Sequence, residues 1–426
     1  MTRKYETALR AYARNRIEKI GKADVLIGVP CFNNETTIEH VLRTVSVGLA
    51  EHYPDRRCVV VVSDGGSTDD TREVAKEYEP RPWQEKLVFI YRGLGGKGTA
   101  LRAIFEAAHG LQADACAVVD SDLRSISPAW VKSLIDPVLE DDYEYVAPIY
   151  TRYKYDGTIT NNIVYNLTRA LYGKRIRQPI GGDFAFSSRL AKHYLDQRVW
   201  ETDIARFGID IWMTLNAIVD DAKICQANLG LKVHDAKDPA EALGPMFRQV
   251  CGTFFNLMEE NEDFWMSVDG SEAVPTFGEP SDDEPEAIQV NEERMIRSFQ
   301  EGFRQFGPVW QAIFSPQVFS TLEAAAASEP SKYEFHTDTW VDLLYELAAK
   351  YCSMTVHRGA MLNVMTPLYL ARVAGFIQRT RDMSSAEAEA VVEEQAHAFE
   401  ARKDYLVRLW DEEHETAGLE AALGRH

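Results

Sequence analysis

Four short segments of this 426-residue chain carry residue types suited to phosphate and cation chemistry. Asp120-Ser121-Asp122 sets two carboxylates one residue apart, directly after the apolar run Ala115–Val119. Such a pair can hold a hard divalent cation that bridges phosphate oxygens and keeps water ligands. The same pair also fits a solvated turn that caps the next helix. Gly93-Leu94-Gly95-Gly96-Lys97-Gly98 precedes a helical pattern, and its backbone N–H groups with one ammonium can wrap a diphosphate. It is neither a Walker A sequence nor a GxGxxG in dinucleotide context, so a P-loop or Rossmann cofactor is not expected. A flexible turn with a surface lysine is the other reading. Asp64 lies in Ser63-Asp64-Gly65-Gly66-Ser67-Thr68-Asp69-Asp70-Thr71. It can accept hydrogen bonds from a nucleobase or ribose, or serve only as a turn residue, since Ser67 and Asp70 look like an N-cap pair. Pro30-Cys31-Phe32-Asn33-Asn34-Glu35 closes the first apolar run.

These loops need a scaffold that gathers them. Val25–Val29, Cys58–Val62, Leu87–Tyr91, Ala115–Val119 and Tyr145–Ile149 are short apolar runs rich in β-branched and aromatic residues. They recur at roughly the 30-residue length of a βα unit. Between them, Leu101, Ile104, Phe105 and Ala108 fall at helical spacing within Thr99–His109. The expected fold class is α/β, a Rossmann-like and mostly parallel sheet covered by helices, with ligands at the carboxyl ends of the strands. The texture changes from about Gly244. Residues 259–293 are acidic, with Pro275, Pro280 and Pro285, and read as an exposed connection. Beyond them Trp340, Leu344, Leu347 and Tyr351 mark one helix face. Ser384 with Glu387 forms a capping-box pattern opening a long helix, and Val392, Phe399 and Leu406 follow at heptad-like spacing. This stripe is read as ordinary helix packing. The expected organisation is an N-terminal helix over 1–23, a catalytic domain over 24–258, an acidic linker or loop over 259–294 and a helical C-terminal domain over 295–426.

The net charge of −20 disfavours nucleic acid and anionic membranes as partners. An anionic substrate would need a local pocket of positive charge or a bound cation. None of the six cysteines forms a CxxC pair, so buried reduced thiols in a cytoplasmic protein are expected rather than disulfides or zinc. Met1 to Lys22 has no apolar core and is not read as a secretory signal. No run approaches eighteen apolar residues, so no membrane span is expected.

Taken in order, Pro-x-x-Asn after the first strand, the Asp64 to Thr71 segment, Gly96-Lys97-Gly98 and Asp120-Ser121-Asp122 resemble the GT-A nucleotide-sugar glycosyltransferases. The usual Glu after the strand-one Asn is Asn34 here, with Glu35 next. Further on come Arg177-Gln178-Pro179-Ile180-Gly181-Gly182-Asp183, Phe207-Gly208-Ile209-Asp210 and Gln226 to His234. This series is similar to the glucosyl-3-phosphoglycerate synthases and the mannosylglycerate synthases, whose motif order residues 24–250 follow. Leu343–Phe376 resembles the helical tail of the latter. These relatives often carry Glu where this chain has Asp183.

The resemblance implies a GT-A catalytic domain and a divalent cation, Mg²⁺ or Mn²⁺, held by Asp122 and His234. Such an oxygen and nitrogen set suits these metals better than structural zinc. Read without the family, His234 is an ordinary satisfied histidine. Pro30, Glu35, Asp64, Lys97 and Asp120 fall where the family binds the nucleotide sugar, with Lys97 at the phosphates. Asp210 falls at the donor sugar. Arg152 and Thr160 match positions for the acceptor carboxylate and hydroxyl, and Gly181 and Gly182 allow close approach of a small acceptor. Arg152 suits a carboxylate because a guanidinium grips it in bidentate fashion; a strand-end surface arginine is the alternative. Arg175 and Arg177 fit either an acceptor phosphate or a helix cap.

The function so implied is retaining transfer of a glucosyl or mannosyl group from a nucleoside diphosphate sugar to D-glycerate or 3-phosphoglycerate. The alternatives are an inverting polysaccharide or glycolipid glycosyltransferase, with Asp183 or Asp210 as catalytic base, and a non-catalytic sugar-nucleotide-binding protein. The helical tail is expected to shape the acceptor side or a homo-oligomer interface. Asp122→Ala should nearly abolish turnover while leaving the fold intact, and excess EDTA should silence the wild type. Activity that persists in EDTA would contradict the cation.

Overall fold

The computed structural model describes residues 5–234, 239–281, 283–354 and 357–422. Two compact units form. The first comprises Met1–Arg152, Ile176–Ala236 and Ala273–Glu286, and the second Tyr153–Arg175, Lys237–Glu272 and Ala287–His426. Neither is contiguous in sequence, unlike the blocks read from composition. Composition marks exposure, whereas membership of a unit follows backbone pairing and packing. Within the acidic stretch, Thr276–Phe277 adds an edge strand to the first unit's sheet, and Trp265 is fully buried in the second unit.

The first unit is an eight-stranded sheet. Its strands are β1 (Val25–Cys31), β2 (Cys58–Asp64), β3 (Glu85–Ile90), β4 (Ala115–Val118), β5 (Tyr145–Thr151), β6 (Phe184–Ser187), β7 (Ile224–Leu231) and β8 (Thr276–Phe277). The spatial order is β8-β7-β5-β6-β4-β1-β2-β3. The five apolar runs read from sequence are all strands. Every residue of β1 and β2 is buried, as expected of strands covered on both faces. They pair in parallel with Pro30 opposite Ser63 and Cys31 opposite Asp64. β6 alone runs antiparallel, between β4 and β5. Val118 at the end of β4 therefore faces Phe184 at the start of β6. That reversal carries Gly181-Gly182-Asp183, just ahead of β6, to the carboxyl end of β4.

Among the described residues, seven α-helices accompany this sheet in the first unit: α1 (Ala11–Ile20), α2 (Ile38–His52), α3 (Thr71–Glu77), α4 (Lys97–Gly110), α5 (Pro128–Leu139), α6 (Ser188–Asp196) and α7 (Ile209–Val219). α4 buries Leu101, Ile104, Phe105 and Ala108, the face read from spacing. Its first turn is fixed from outside, because Gly98 N donates to Arg206 O at 3.0 Å.

The second unit is helical. Trp340, Leu344, Leu347 and Tyr351 are buried on Thr337–Ser353. The capping box of Ser384 and Glu387 is present and opens Ser385–Ala401. The heptad-like stripe is split, since Leu406 sits on a separate helix, Lys403–Ala422. Arg358–Thr380 is long and apolar enough to cross a membrane by length and composition, contrary to the reading that no stretch is. It is nevertheless mostly buried inside the unit. It also contains Arg372, whose guanidinium bonds Asn162 Oδ1 at 3.1 Å, Phe335 O at 3.3 Å and Gln395. Lys154 Nζ closes the end of this helix by donating to Thr380 O, Arg381 O and Met383 O at 2.7, 2.9 and 2.6 Å. All six cysteines of the chain are buried free thiols.

A Cβ on Gly98 would lie 1.8 Å from Ile204 O. Backbone cannot yield as a side-chain tip can, so Gly98→Ala should cost about 1–3 kcal/mol and displace the start of α4. Thermal unfolding should show a clear drop in Tm; an unchanged Tm would mean that the contact is easily relieved.

Candidate active site

The loops after β1 and β2 are laced together. Asn33 N donates to Ser67 Oγ at 2.9 Å, and Asn33 Oδ1 accepts from Thr68 N at 2.9 Å. Glu35 N donates to Asp69 Oδ2 at 3.2 Å, while Glu35 Oε2 accepts from Asp70 N at 2.9 Å. Pro30 is buried within β1. Asp64 is fully buried. Its carboxylate accepts from Gly66 N at 3.1 Å, Ser67 N at 3.2 Å and Ser67 Oγ at 2.5 Å. In this structure both Asp64 and Glu35 therefore shape the loop pair. The N-cap of α3 is Asp70, without a side-chain cap bond; Asp69 instead accepts from Thr71 N at 3.1 Å and Thr71 Oγ1 at 2.5 Å.

Deeper in the crevice, three carboxylates meet two ammoniums. Lys97 Nζ, in the first turn of α4, lies 2.9 Å from Asp120 Oδ1 and 3.1 Å from Asp210 Oδ2. Lys232 Nζ, just past β7, lies 3.1 Å from Asp120 Oδ2 and 2.8 Å from Asp183 Oδ2. It also donates to Gly181 O at 2.8 Å. Asp183 is fully buried. It further accepts from Asp120 N at 2.7 Å and from the hydroxyl of Tyr150. Burial pushes Asp120 toward the neutral acid, but Lys97 and Lys232 outweigh it and hold the carboxyl below its ordinary range. Burial likewise opposes the charge on Lys97, and Asp120 and Asp210 more than offset it. Asp210 shifts the other way: burial raises it, and its single partner Lys97 compensates only in part. Its second oxygen, Oδ1, is buried without a hydrogen-bond partner. Burial and the nearby Asp183 carboxylate keep Tyr150 protonated far above its ordinary range.

The glycine pair is tightly packed. Gly182 has φ +95°, and a Cβ there would lie 2.2 Å from Asp120 Oδ2; one on Gly181 would lie 2.3 Å from Pro148 Cγ. The space beside these glycines is filled by Asp120 and Pro148. Arg152 lies at the end of β5 with its guanidinium 4.8 Å from the centre of the Tyr150 ring. Thr160 belongs to the second unit, where it is buried in the π-helical turn Thr160–Val164. Arg175 is also in the second unit and bonds Ser271 Oγ at 3.0 Å and Ser271 O at 3.2 Å. Arg177 lies in the first unit, where its N–H donates to Gln226 Oε1 at 2.7 Å.

Asp122 and His234 come from distant parts of the sequence to adjacent backbone. Leu123 and His234 form an antiparallel bridge. Arg124 N donates to Val233 O at 2.9 Å, and Val233 N to Ser125 Oγ at 2.8 Å. Both residues are half-buried. Among the described residues no group of three or more His, Cys, Asp or Glu side chains forms a metal cage. One carboxylate and one imidazole do fit a cation that takes its remaining ligands from phosphate and water, as Mg²⁺ and Mn²⁺ do.

Sequence reasoning did not single out Lys232 or Tyr150. Each sits at the carboxyl end of a buried strand, where a lone polar residue is a signal. What each touches depends on β6 running backwards between β4 and β5.

Residues 26–200 match the family model described as Glycosyl transferase family 2. The matched segment, less than half of the chain, is similar to that family. A curated relative, glucosyl-3-phosphoglycerate synthase of Petrotoga mobilis, is 28% identical over 254 residues, covering 56% of this chain and 75% of the relative. Among solved structures, glucosyl-3-phosphoglycerate synthase of Mycobacterium tuberculosis with Mn²⁺, UDP-glucose and phosphoglyceric acid is 26% identical. It aligns with TM-score 0.43 over 59% of this chain and 85% of that one. The same enzyme with Mg²⁺ and UDP is 24% identical, with TM-score 0.43 over 58% and 84% of the two chains. The matched segment contains most of β1 to β6 and most of the charged cluster. Asp210 and Lys232 reach the cluster from beyond the matched segment.

Asp210 supplies a pH-dependent prediction. A carboxyl raised in the folded state favours folding while protonated, and that advantage is lost as pH rises from its unfolded pKa through its folded one. Asp210→Asn should therefore raise Tm at neutral pH and lose this advantage in acid. Turnover should still fall by roughly tenfold or more. Melting curves across pH and steady-state rates test this; a lower Tm at neutral pH would show that the Lys97 pair outweighs burial.

Proposed function

We propose that this chain is a cation-dependent, retaining hexosyltransferase that moves a glucosyl group from a nucleoside diphosphate glucose to D-glycerate or 3-phosphoglycerate. The observation that carries the reading is Lys97. It is a half-buried ammonium in the first turn of α4, set among Asp120, Asp210 and the Gly182 carbonyl on the carboxyl side of the sheet. The family 2 match and the name of the Petrotoga mobilis relative support the reaction class and the choice of glucose and phosphoglycerate.

The chain's own residues divide the work. Asp122 and His234 would hold a divalent cation, which when bound would neutralise charge on the two phosphates. Lys97 and the N–H groups at the start of α4 receive a diphosphate oxygen and stabilise the charge that grows on it. The unpartnered Asp210 Oδ1 accepts a hydrogen bond from a donor-sugar hydroxyl and orients the ring. Transfer breaks the bond between the anomeric carbon and the phosphate oxygen. The acceptor hydroxyl bonds to that carbon on the same face, and its proton passes to the departing phosphate oxygen. No carboxylate is needed as base. Asp183, engaged by Lys232, Tyr150 and the Asp120 N–H, acts as scaffold.

The acceptor is an anion in a chain of net charge −20, so a local cation must reverse the sign. Arg152 has that charge at the end of β5. A matrix of UDP- and GDP-linked glucose and mannose against D-glycerate and 3-phosphoglycerate, with Mn²⁺, tests the reading. Proton NMR of the product should show the anomeric configuration retained. Arg152→Lys should raise the acceptor KM by roughly tenfold to a hundredfold and leave donor affinity nearly unchanged. Inverted product, or no transfer to either acceptor, would overturn the proposal.

A further inference from the structure

The crevice contains a second ammonium, more deeply buried than the first. Lys232 is 7% exposed. Its Nζ donates to Gly181 O, Asp183 Oδ2 and Asp120 Oδ2 at 2.8, 2.8 and 3.1 Å, and the Tyr150 ring centre is 4.7 Å away. An ammonium has three hydrogens, so Lys232 has none left for a ligand. Lys97 differs. Its side chain is 16% exposed against 4% for Lys232, and its bond to the Gly182 carbonyl is long, at 3.4 Å.

The two lysines share Asp120, one on each oxygen. A donor phosphate that recruits Lys97 must draw it away from Asp120 or Asp210. Had Asp120 only that one counter-ion, the exchange would leave a partly desolvated carboxylate unpaired, which opposes it. With Lys232 on the opposite oxygen, Asp120 stays compensated when Lys97 leaves.

We propose that Lys232 is a positioning residue, the standing counter-ion of Asp120 that frees Lys97 to exchange its carboxylate partner for the donor diphosphate. Lys232 touches neither donor nor acceptor in this role. It also fixes Asp183 and the Gly181 carbonyl, so the glycine turn keeps its place while Lys97 moves. The inference rests on the reading of the site as a nucleotide-sugar transferase centre.

A double-mutant cycle on nucleoside diphosphate binding tests it. UDP and GDP, each with Mn²⁺, are titrated by calorimetry into the full chain as wild type, Lys97→Met, Lys232→Met and the double variant. Each single change should weaken binding of the accepted nucleotide by roughly tenfold or more. The double variant should lose little beyond either single one, because without Lys232 the Lys97 ammonium stays locked on Asp120. Lys232→Arg, which keeps the charge, should recover most of the affinity. Should Lys232→Met fail to fold by circular dichroism, the matched change Asp183→Asn with Lys232→Gln removes one charge of each sign and enters the same cycle. Losses that multiply independently, or wild-type affinity in Lys232→Met, would overturn the role of Lys232 while leaving the transferase reading intact. A wild type that binds neither nucleotide would overturn the transferase reading itself, and this proposal with it.

Discussion

Asp120 held between Lys97 and Lys232 is the interaction on which the catalytic unit depends. A carboxylate taken out of water is tolerated only when it is paired and hydrogen-bonded. Here the pairing is double, and each lysine arrives on a different part of the chain: Lys97 on α4 and Lys232 on the exit of β7. Each lysine brings a second carboxylate with it, Asp210 for Lys97 and Asp183 for Lys232. The network ties the carboxyl ends of β4 and β7, the turn before β6 and the first turns of α4 and α7 into one charged floor.

That floor constrains the backbone around it. Gly182 needs a left-handed conformation with Asp120 close against it, and Gly98 leaves no room for a side chain beside Ile204 O. The antiparallel strand β6 is the geometric key. In an all-parallel order, the turn before that strand would lie at the amino edge of the sheet, away from Asp120. Reversal brings Asp183 to hydrogen-bond the Asp120 N–H and leaves its other oxygen to Lys232 and Tyr150. The uneven compensation that results, with Asp120 doubly paired and Asp210 singly paired, distinguishes a structural carboxylate from one with an open acceptor oxygen.

The second unit buries charge by a different route. Arg169 is fully buried and pairs with Glu393 at 2.5 Å and Glu400 at 2.8 Å. Arg372 is satisfied by amide and carbonyl oxygens instead. Such groups fix which helix faces meet, since an apolar stripe alone tolerates sliding. The buried Arg372 and its partners account for a helix that is apolar by composition yet sits mostly inside the unit.

Local patterns along the sequence determined five of the eight strands, the helix at α4, the capping box at Ser384 and the order of the polar loops, because each follows from the neighbours of a residue. Asp122 and His234 were joined as a site only through resemblance, and the bridge between Leu123 and His234 brings their backbones close. Composition misread the unit boundaries, because acidic and proline-rich residues can still contribute an edge strand such as Thr276–Phe277. Asp64 and Glu35 have the right chemistry for a ligand, yet both are drawn into loop hydrogen bonds that depend on the register of β1 with β2. Lys232 and Tyr150 were the least visible. A lysine in sequence is a surface residue by default, and only the reversed strand and the meeting of separate strand ends give this one three acceptor partners. The sequence thus determined which polar loops follow the strands, and the tertiary structure decided which charges compensate one another, because that depends on distances between segments far apart in the chain.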